Sequence, residues 1–582
     1  MCGIFCFISK TDFTGAQEEI LSQCQCHLQN RGPDETGRLE FDSRVLLLGT
    51  VLWQQGATPC RQPVEDDRFA LLFNGDLFMD RRDGPPEDSD TRWLFRQIVA
   101  TRGEAEELRE LFGVLKGPFS LVLLDKVRRR VYFGRDCFGR NSLLVAVSND
   151  GILVSSVLGN KVQQKTVELP PNGIYYVDLA EDNLDLHIFP WNTKKGESES
   201  ALNVTFEDPI ELPWLHSVNS EISFNYHDLL KDSNVDSDQV FNLLLNNPAV
   251  SNLCNDLIRL LEQSVRERVV NTPAFCRKCL PARDPCPHPR LGILFSGGID
   301  CTIIALLADR FVPDSTPIDL LNVAFEKIVR PNGKKHPSTA PPPIDWNVPD
   351  RVTGRSTLQE LQRLRPNRHW NFVEINITRQ ELNDHKRRIS DLVFPLKSVL
   401  DESIGAALWF ASRGYGTTDE AVGYRCDARV LLLGSGADEL FGGYSRHRVA
   451  FYRDVRSKDG PSDAEVEQGF RSLAAELELD WNRLPSRNLA RDDRVIGDHG
   501  ITPRTPYLQE DFVALVHGLD ASQRCYYPLG AGIGDKLTLR LCGYRLGLRE
   551  STCLRKRALQ FGSRIADRKQ NAADESTFLA EG

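Results

Sequence analysis

Leu291-Gly-Ile-Leu-Phe-Ser-Gly-Gly-Ile-Asp-Cys301 is the stretch whose reading decides the fold. Leu291 to Phe295 is apolar apart from one glycine, the composition of a strand buried on both faces. Ser296-Gly297-Gly298 breaks the strand. Cys301 to Arg310 then takes helical spacing, with Ile303, Ile304, Leu307 and Ala308 on one side. A strand, a glycine turn and a helix present unpaired backbone N–H groups at the positive end of a helix dipole, a seat for phosphate or pyrophosphate. The stretch lacks the Gly-Lys-Ser/Thr ending of the common nucleotide loop and the three spaced glycines of the dinucleotide fingerprint. The competing reading is a turn that merely needs two glycines.

Working outward, Ile318–Phe325 and Asn371–Ile377 read as further buried strands. Leu396–Arg413 has helical spacing. Arg429-Val-Leu-Leu-Leu433 is a strand running into Gly434-Ser-Gly-Ala-Asp-Glu-Leu-Phe-Gly-Gly-Tyr444. The lysine- and proline-rich piece from Lys327 to Pro343 is expected to be disordered. Alternating strands and helices of this kind give a doubly wound parallel sheet, whose ligands sit at the carboxyl ends of strands. Asp300 and Asp438 each follow a glycine turn at such an end. Together they suit a shared Mg²⁺, because a hard cation takes carboxylate oxygens beside phosphate. Alone, either reads equally as a helix N-cap or first-turn acid.

At 582 residues the chain exceeds one core, so two to four domains are expected. The net charge of −10 leaves no electrostatic footprint for nucleic acid or an anionic membrane. No apolar run reaches the ~18 residues of a transmembrane helix, and the N-terminus carries no basic-then-apolar pattern of a secretory signal. Fifteen cysteines, an odd number scattered through a long chain, read as reduced thiols of a cytoplasmic protein. Cys276-Arg-Lys-Cys279 is followed by Cys286 and His288 in a proline-rich piece. Such ligands are those of zinc, although the spacing of the second pair does not match the common zinc folds, and proline-rich loops tolerate stray cysteines.

The chain begins Met1-Cys2-Gly3-Ile4. With Met1 removed, Cys2 carries both a thiol and a free α-amine. The amine titrates near ~8 and the thiol near ~8.5, so one residue supplies nucleophile and base. Downstream, in order, come Arg31-Gly-Pro-Asp34, the strand Phe69–Phe73 entering Asn74-Gly-Asp76, and Ser89-Asp-Thr91 before a helix. Two more strands follow in Gly117–Asp125 and Val131–Asp136, then Phe138-Gly-Arg140.

These ordered motifs resemble the class II glutamine amidotransferases, and the likeness implies an N-terminal-nucleophile αββα sandwich over residues 2–191. By that resemblance Cys2 attacks the glutamine side-chain amide, Asn74 and the Gly75 N–H form the oxyanion hole, and Asp76 and Asp90 bind glutamine. One departure stands out. Val51 occupies the place of an arginine that clamps the glutamine α-carboxylate in the family, a charge-assisted contact of ~1.5–3 kcal/mol.

In the second half, Ser296-Gly-Gly-Ile-Asp300 resembles the PP-loop of the ATP pyrophosphatases. With Gly434–Tyr444 and Arg504-Thr-Pro-Tyr-Leu508 after Arg491-Asp-Asp-Arg494, it is similar to glutamine-dependent asparagine synthetase over nearly the whole chain. Val348-Pro-Asp-Arg351, Thr353-Gly-Arg355, Gly443–Arg448, Arg487–Gly500 and Arg557–Arg564 look more like the asparagine synthetase domain-containing branch of that family. The resemblance implies a connecting segment over 192–249, a PP-loop doubly wound parallel α/β domain over 250–567 and a flexible tail over 568–582. It implies ATP and Mg²⁺, with glutamine, aspartate and ATP as small-molecule substrates; a homodimer is compatible with it. Ser296, Gly297, Gly298, Ile299 and Asp300 would hold the pyrophosphate and its metal. Ser435 and Gly436 would line the nucleotide, Asp438 assist the metal, and Lys536 with Lys556 or Arg557 neutralise phosphate charge. Against full activity, Ser435 stands where an acid handles the ammonia proton, and Cys301 replaces a phosphate-binding serine. Thr502 and Gln509 also replace acids. The alternative implied is a catalytically impaired relative that keeps the fold and the ATP site.

Overall fold

The computed structural model describes residues 2–78, 88–162, 164–181, 183–193, 202–216, 222–230, 237–273, 275–282, 286–326, 344–455, 462–566 and 571–581. The Lys327–Pro343 stretch expected to be disordered lies outside them.

In the first half, two antiparallel sheets stack face to face. One has the order Thr166–Glu168, Leu144–Val147, Gly151–Ser155, Gly3–Ser9, Val45–Val51, Glu35–Phe41. The other runs from Thr205–Phe206 through His187–Pro190, Gly173–Asp178, Arg130–Arg135, Phe119–Asp125 and Phe69–Gly75 to Val64–Glu65. Alternation along the strands sends Ile4, Cys6, Ile8 and Leu47 from one sheet against Leu72, Val122, Leu124 and Phe133 from the other. The opposite faces are also apolar, so each takes a helix. Ile20, Leu21, Cys24 and Leu28 of Ala16–Arg31 cover Phe5 and Phe7. Trp93, Leu94 and Ile98 of Asp90–Ala100 cover Phe69 and Leu71. The result is the expected αββα sandwich, in which Gly3–Ser9 is buried throughout.

The second half is built on one sheet of order Val422–Arg425, Tyr415–Thr417, Trp370–Ile377, Ile318–Phe325, Leu291–Leu294, Val430–Leu432, Thr502–Arg504. Its five inner and far strands pair in parallel, and the Tyr415–Arg425 hairpin closes one edge antiparallel. Helices cover both faces. Ile299–Ala308 is buried at every position but Asp300, as a helix apolar all round must be. Val399–Arg413 packs Ala406, Ala407 and Phe410 beneath Leu321, Val323 and Ile375. The chain starts the sheet at Leu291–Leu294, builds outward through Ile318–Phe325, then returns to place Val430–Leu432 on the other flank. The strand order therefore reverses between Leu291–Leu294 and Val430–Leu432, and a crevice opens beyond their carboxyl ends.

Two expected boundaries differ. The 192–249 segment is not a bare connection. Thr205–Phe206 extends a sheet of the first half, and Trp191 bridges to Ile210. Farther along, Tyr226 packs fully buried with its hydroxyl 2.7 Å from Thr538 Oγ1 in the second half. The tail over 568–582 is docked in its described part. Leu579 is buried, its carbonyl accepts from Ser390 Oγ at 2.7 Å, and Ser576 Oγ donates to Glu402 at 2.6 Å. Apolar Phe578 and Leu579 drive this docking, which composition alone did not reveal.

The halves meet through arginines. Arg31 pairs with Asp493 at 2.8 Å, Arg140 with Glu510 at 2.6 Å and Arg494 with Glu168 at 2.5 Å, all with buried side chains. Charges removed from water at such an interface persist only because each is paired and hydrogen-bonded.

Candidate active sites

Cys2 opens the buried Gly3–Ser9 strand, and its own environment is dry. Burial pushes the Cys2 thiol up from its ordinary value, against the pull of a hydrogen bond from the Leu52 backbone; the nearby Asp90 adds to the rise. The Cys2 nitrogen donates to Asn74 Oδ1 at 2.8 Å. Asn74 reaches it from the end of the adjacent sheet, held by Asn141 Nδ2 on its carbonyl and by a 3.5 Å contact from its own Nδ2 to Ser120 Oγ. Gly75 ends the same strand. Asp90 is the first residue of its helix, capped by Ser89, and its carboxylate accepts from the Thr91 and Leu77 backbone at 2.8 and 3.3 Å. Cys2 and Asn74 are thus in direct contact, Gly75 is the next residue of the Asn74 strand, and Asp90 is near enough to act on the Cys2 thiol.

Asp76 does not join them. Its two oxygens accept from Arg504 Nη2 and Nε at 2.9 and 2.8 Å, and Gln55 Nε2 donates to it at 2.9 Å. The expected glutamine ligand is an interface residue, because an arginine 428 positions along the chain claims it. Val51 is buried at the end of its strand, so that point offers no cation. Burial raises the Cys60 thiol overall, against the pull of Arg92, which stands two residues beyond Asp90. Gln62 lies beside the nucleophile. Its side chain pairs with both backbone groups of Phe73, at 2.7 and 2.9 Å, and thereby brings Nε2 to 3.6 Å from Cys2 Sγ.

In the second half, the Ser296–Gly298 turn and the Gly434–Gly436 turn meet at the strand-order reversal. Gly297 has φ +77° and lies against Gly354, where a Cβ would come within 2.7 Å of backbone. Only glycine fits there. Beyond the turn lies a cleft lined by Ser296, Gly298, Ile299, Asp300, Lys536 and Lys556, together with Arg555 and Arg557. Lys536 Nζ sits 2.6 Å from both Asp300 Oδ2 and Asp438 Oδ1, and Lys556 Nζ lies 2.5 Å from Asp438 Oδ2. Lys536 is held in the left-handed region at φ +55°, a strained choice for a lysine that aims its ammonium between the two acids. Burial alone would raise Asp438, but Lys536 and then Lys556 hold it well below the usual carboxylate range. The same pairing raises Lys556 although its burial works the other way.

Asp300 Oδ1 is buried without a hydrogen-bond partner, and Asp438 Oδ1 touches Lys536 without hydrogen-bond alignment. The open Asp300 oxygen, with the lysine-paired Asp438 carboxylate beside it in a cationic cleft, fits a divalent cation carried in with phosphate. Asp350 borders the cleft too. Burial pushes its carboxyl up to about 7, with Lys556 and Arg557 opposing. Arg557 Nη1 donates to Thr353 Oγ1 at 3.0 Å.

The remaining positions sort themselves by geometry. Ser435 lies half-buried in its turn, and Gly436 next to it has φ +93°. Cys301 turns its thiol back onto the Gly298 carbonyl at 3.2 Å. Thr502 pairs beside Val430, at the opposite end of the strands from the cleft, and takes Gln54 of the first half on its hydroxyl at 3.2 Å. Gln509 caps the Glu510–His517 helix by accepting from the Phe512 N–H. Glu439, which follows Asp438, has its carboxyl raised to about 7 by burial and then by Asp438, while the Tyr444 hydroxyl donates to it at 2.7 Å.

Such a molecule is a class II glutamine amidotransferase sandwich fused to an asparagine-synthetase-type α/β domain. The family models agree: the glutamine amidotransferase domain matches residues 1–174 and asparagine synthase matches residues 288–540. The asparagine synthetase domain-containing protein of Drosophila melanogaster is 39% identical over 100% of both chains. Asparagine synthetase domain-containing protein 1 of Gallus gallus is 36% identical over 98% of both, and that of Homo sapiens 35% over 97% of this chain and 95% of its own. The chain belongs to the asparagine synthetase domain-containing protein family.

Proposed function

We propose that the protein couples glutamine hydrolysis to ATP-dependent amide synthesis, with aspartate as acceptor and asparagine as product. The observation that carries this reading is Arg31. Its Nε lies 3.4 Å from the Cys2 carbonyl while Nη2 pairs with Asp493 of the second half, so the nucleophile's backbone and the synthetase domain share one fully buried side chain.

Cys2 acts once Met1 is removed. Its thiol is kept protonated by burial, so a base must take the proton as attack begins. The freed α-amine does so, oriented by Asn74 Oδ1. Asn74 Nδ2, only weakly held by Ser120, and the Gly75 N–H then receive the developing oxyanion. Asp90 holds the glutamine α-amine, and Arg92 is the guanidinium available where Val51 offers none. In the cleft, ATP lays its phosphates along the Ser296–Gly298 turn, against Lys536, Lys556 and Arg557. Asp300 and Asp438 would hold Mg²⁺, which neutralises charge developing on the departing pyrophosphate. Ser435 and Gly436 border the nucleotide. Glu439, next to Asp438 and with its carboxyl raised to about 7 by burial, would manage the ammonia proton that Ser435 cannot. Fifteen cysteines with no disulfide among the described residues suit the cytoplasm, and among those residues no helix is long and apolar enough to cross a membrane.

A second reading rests on Val51, Cys301 and Ser435: an impaired enzyme that binds ATP in a regulatory role. Glutamine labelled with ¹⁵N at its amide, supplied with ATP and aspartate, separates the two. Label in asparagine is expected and should be lost in Cys2→Ala, whose synthesis of asparagine, now unlabelled, free ammonia should restore. Pyrophosphate release without labelled product favours the second reading. Loss of both glutamine and ammonia activity in Cys2→Ala would instead make Cys2 a fold residue.

A further inference from the structure

Residues 271–290 join the Pro248–Val270 helix to the Leu291–Leu294 strand without regular secondary structure in their described part. Such a segment has few local means of fixing its shape. Yet its four soft donors converge. Cys276 Sγ lies 3.6 Å and Cys279 Sγ 3.4 Å from His288 Nδ1, and Cys286 Sγ accepts the Cys276 N–H at 3.3 Å. The four candidate ligand atoms all lie within 4.8 Å of one another. Tetrahedral zinc with Zn–S near 2.3 Å and Zn–N near 2.05 Å requires S···N separations of about 3.6 Å and S···S of about 3.8 Å. The observed sulfur–imidazole distances match that requirement, and none of the three thiols is in a disulfide.

We propose that Cys276, Cys279, Cys286 and His288 form a structural zinc site. Three thiolates and one imidazole complete a tetrahedron, which leaves no position for substrate or water. Soft sulfur donors also separate this site from the oxygen-lined cleft at Asp300 and Asp438. The N–H donated to Cys286 Sγ is the kind of outer contact that steadies a bound thiolate. Zinc here fastens the joint between the two halves. Phe275, next to the first ligand, packs against Trp53 of the amidotransferase half with ring centroids 5.2 Å apart. Arg277, between the first two ligands, donates its N–H to the Asp427 carbonyl at 2.8 Å. The Asn271 carbonyl accepts from Arg504 at 2.9 Å. The last ligand stands three residues before the strand that enters the Ser296 turn.

The test uses the full chain purified without chelator and dialysed against metal-free buffer. Elemental analysis is expected to return about one zinc per chain. Cys279→Ser and His288→Ala, made singly, should each lose most of it. Replacement with Co²⁺ in the unmutated chain should give the intense visible bands of tetrahedral cobalt together with a near-ultraviolet thiolate charge-transfer band, a readout independent of whether the variants fold. Zinc content near zero would overturn the proposal. So would zinc retained in both variants, an octahedral cobalt spectrum, or a disulfide among Cys276, Cys279 and Cys286 found by peptide mapping.

Discussion

Arg504 grips Asp76 with two parallel hydrogen bonds, Nε to Oδ2 at 2.8 Å and Nη2 to Oδ1 at 2.9 Å, with both side chains buried. The arginine belongs to the last strand of the synthetase sheet, and the aspartate follows the Asn74-Gly75 pair beside Cys2. One fork therefore fixes the amidotransferase pocket to the synthetase domain. Its remaining donors reach the Arg268 and Asn271 carbonyls, so every arm of the guanidinium has a partner.

Breaking this pair from either side should be severe. Arg504→Ala or Asp76→Ala leaves an uncompensated buried charge and should cost about 3–5 kcal/mol in urea unfolding. The double variant should cost clearly less than the two losses added together. Strict additivity would show that the two side chains do not act as a pair.

Nucleotide binding should depend on Asp300 through its open Oδ1. With MgATP at a hundredfold over its Kd, the native chain should gain about 2.7 kcal/mol, read as a rise in Tm. Asp300→Ala should abolish most of that rise. An unchanged shift in the variant would remove Asp300 from the metal site.

Asp350 makes stability fall as pH rises. Its carboxyl titrates near 7 when folded, because burial disfavours the charge, against an ordinary value of 3.8. Between those values the unfolded chain has released the proton and the folded chain still holds it, so each step up in pH favours unfolding. The loss should begin near pH 4 and level off above about pH 7, amounting to a few kcal/mol. Asp350→Asn should remove this component, most visibly in native-minus-variant unfolding curves at pH 5 and pH 8. Parallel curves at the two values would mean that Asp350 is charged throughout.

Ser435→Glu should raise the ratio of asparagine formed to pyrophosphate released, by returning a carboxylate to the turn that closes the Val430–Leu432 strand. Removing a working general base typically lowers a rate 10²–10⁴-fold, so even partial recovery is measurable. A native ratio already near one would assign the proton to Glu439, whose carboxyl stands near neutrality.

The local features of this protein were legible in its residues. Hydrophobic runs bounded by glycine mark Ile318–Phe325 and Phe69–Gly75 as strands, and Ser296-Gly-Gly marks a turn, because period and backbone freedom are properties of neighbouring residues. The doubly wound sheet follows from the order of such pieces, while the αββα sandwich is implied by the resemblance of the ordered motifs to the class II glutamine amidotransferases. Contacts between distant residues were not legible. Asp76 is expected by resemblance to bind glutamine, and only the docking of the two halves hands it to Arg504. Lys536 meets Asp300 across 236 positions through a strained backbone that no propensity predicts. The Cys276–His288 donors have an unfamiliar spacing, yet the folded loop draws them together. A local pattern is set by a few adjacent side chains, whereas partners for buried charge and soft donors are chosen only when the whole chain closes and water leaves.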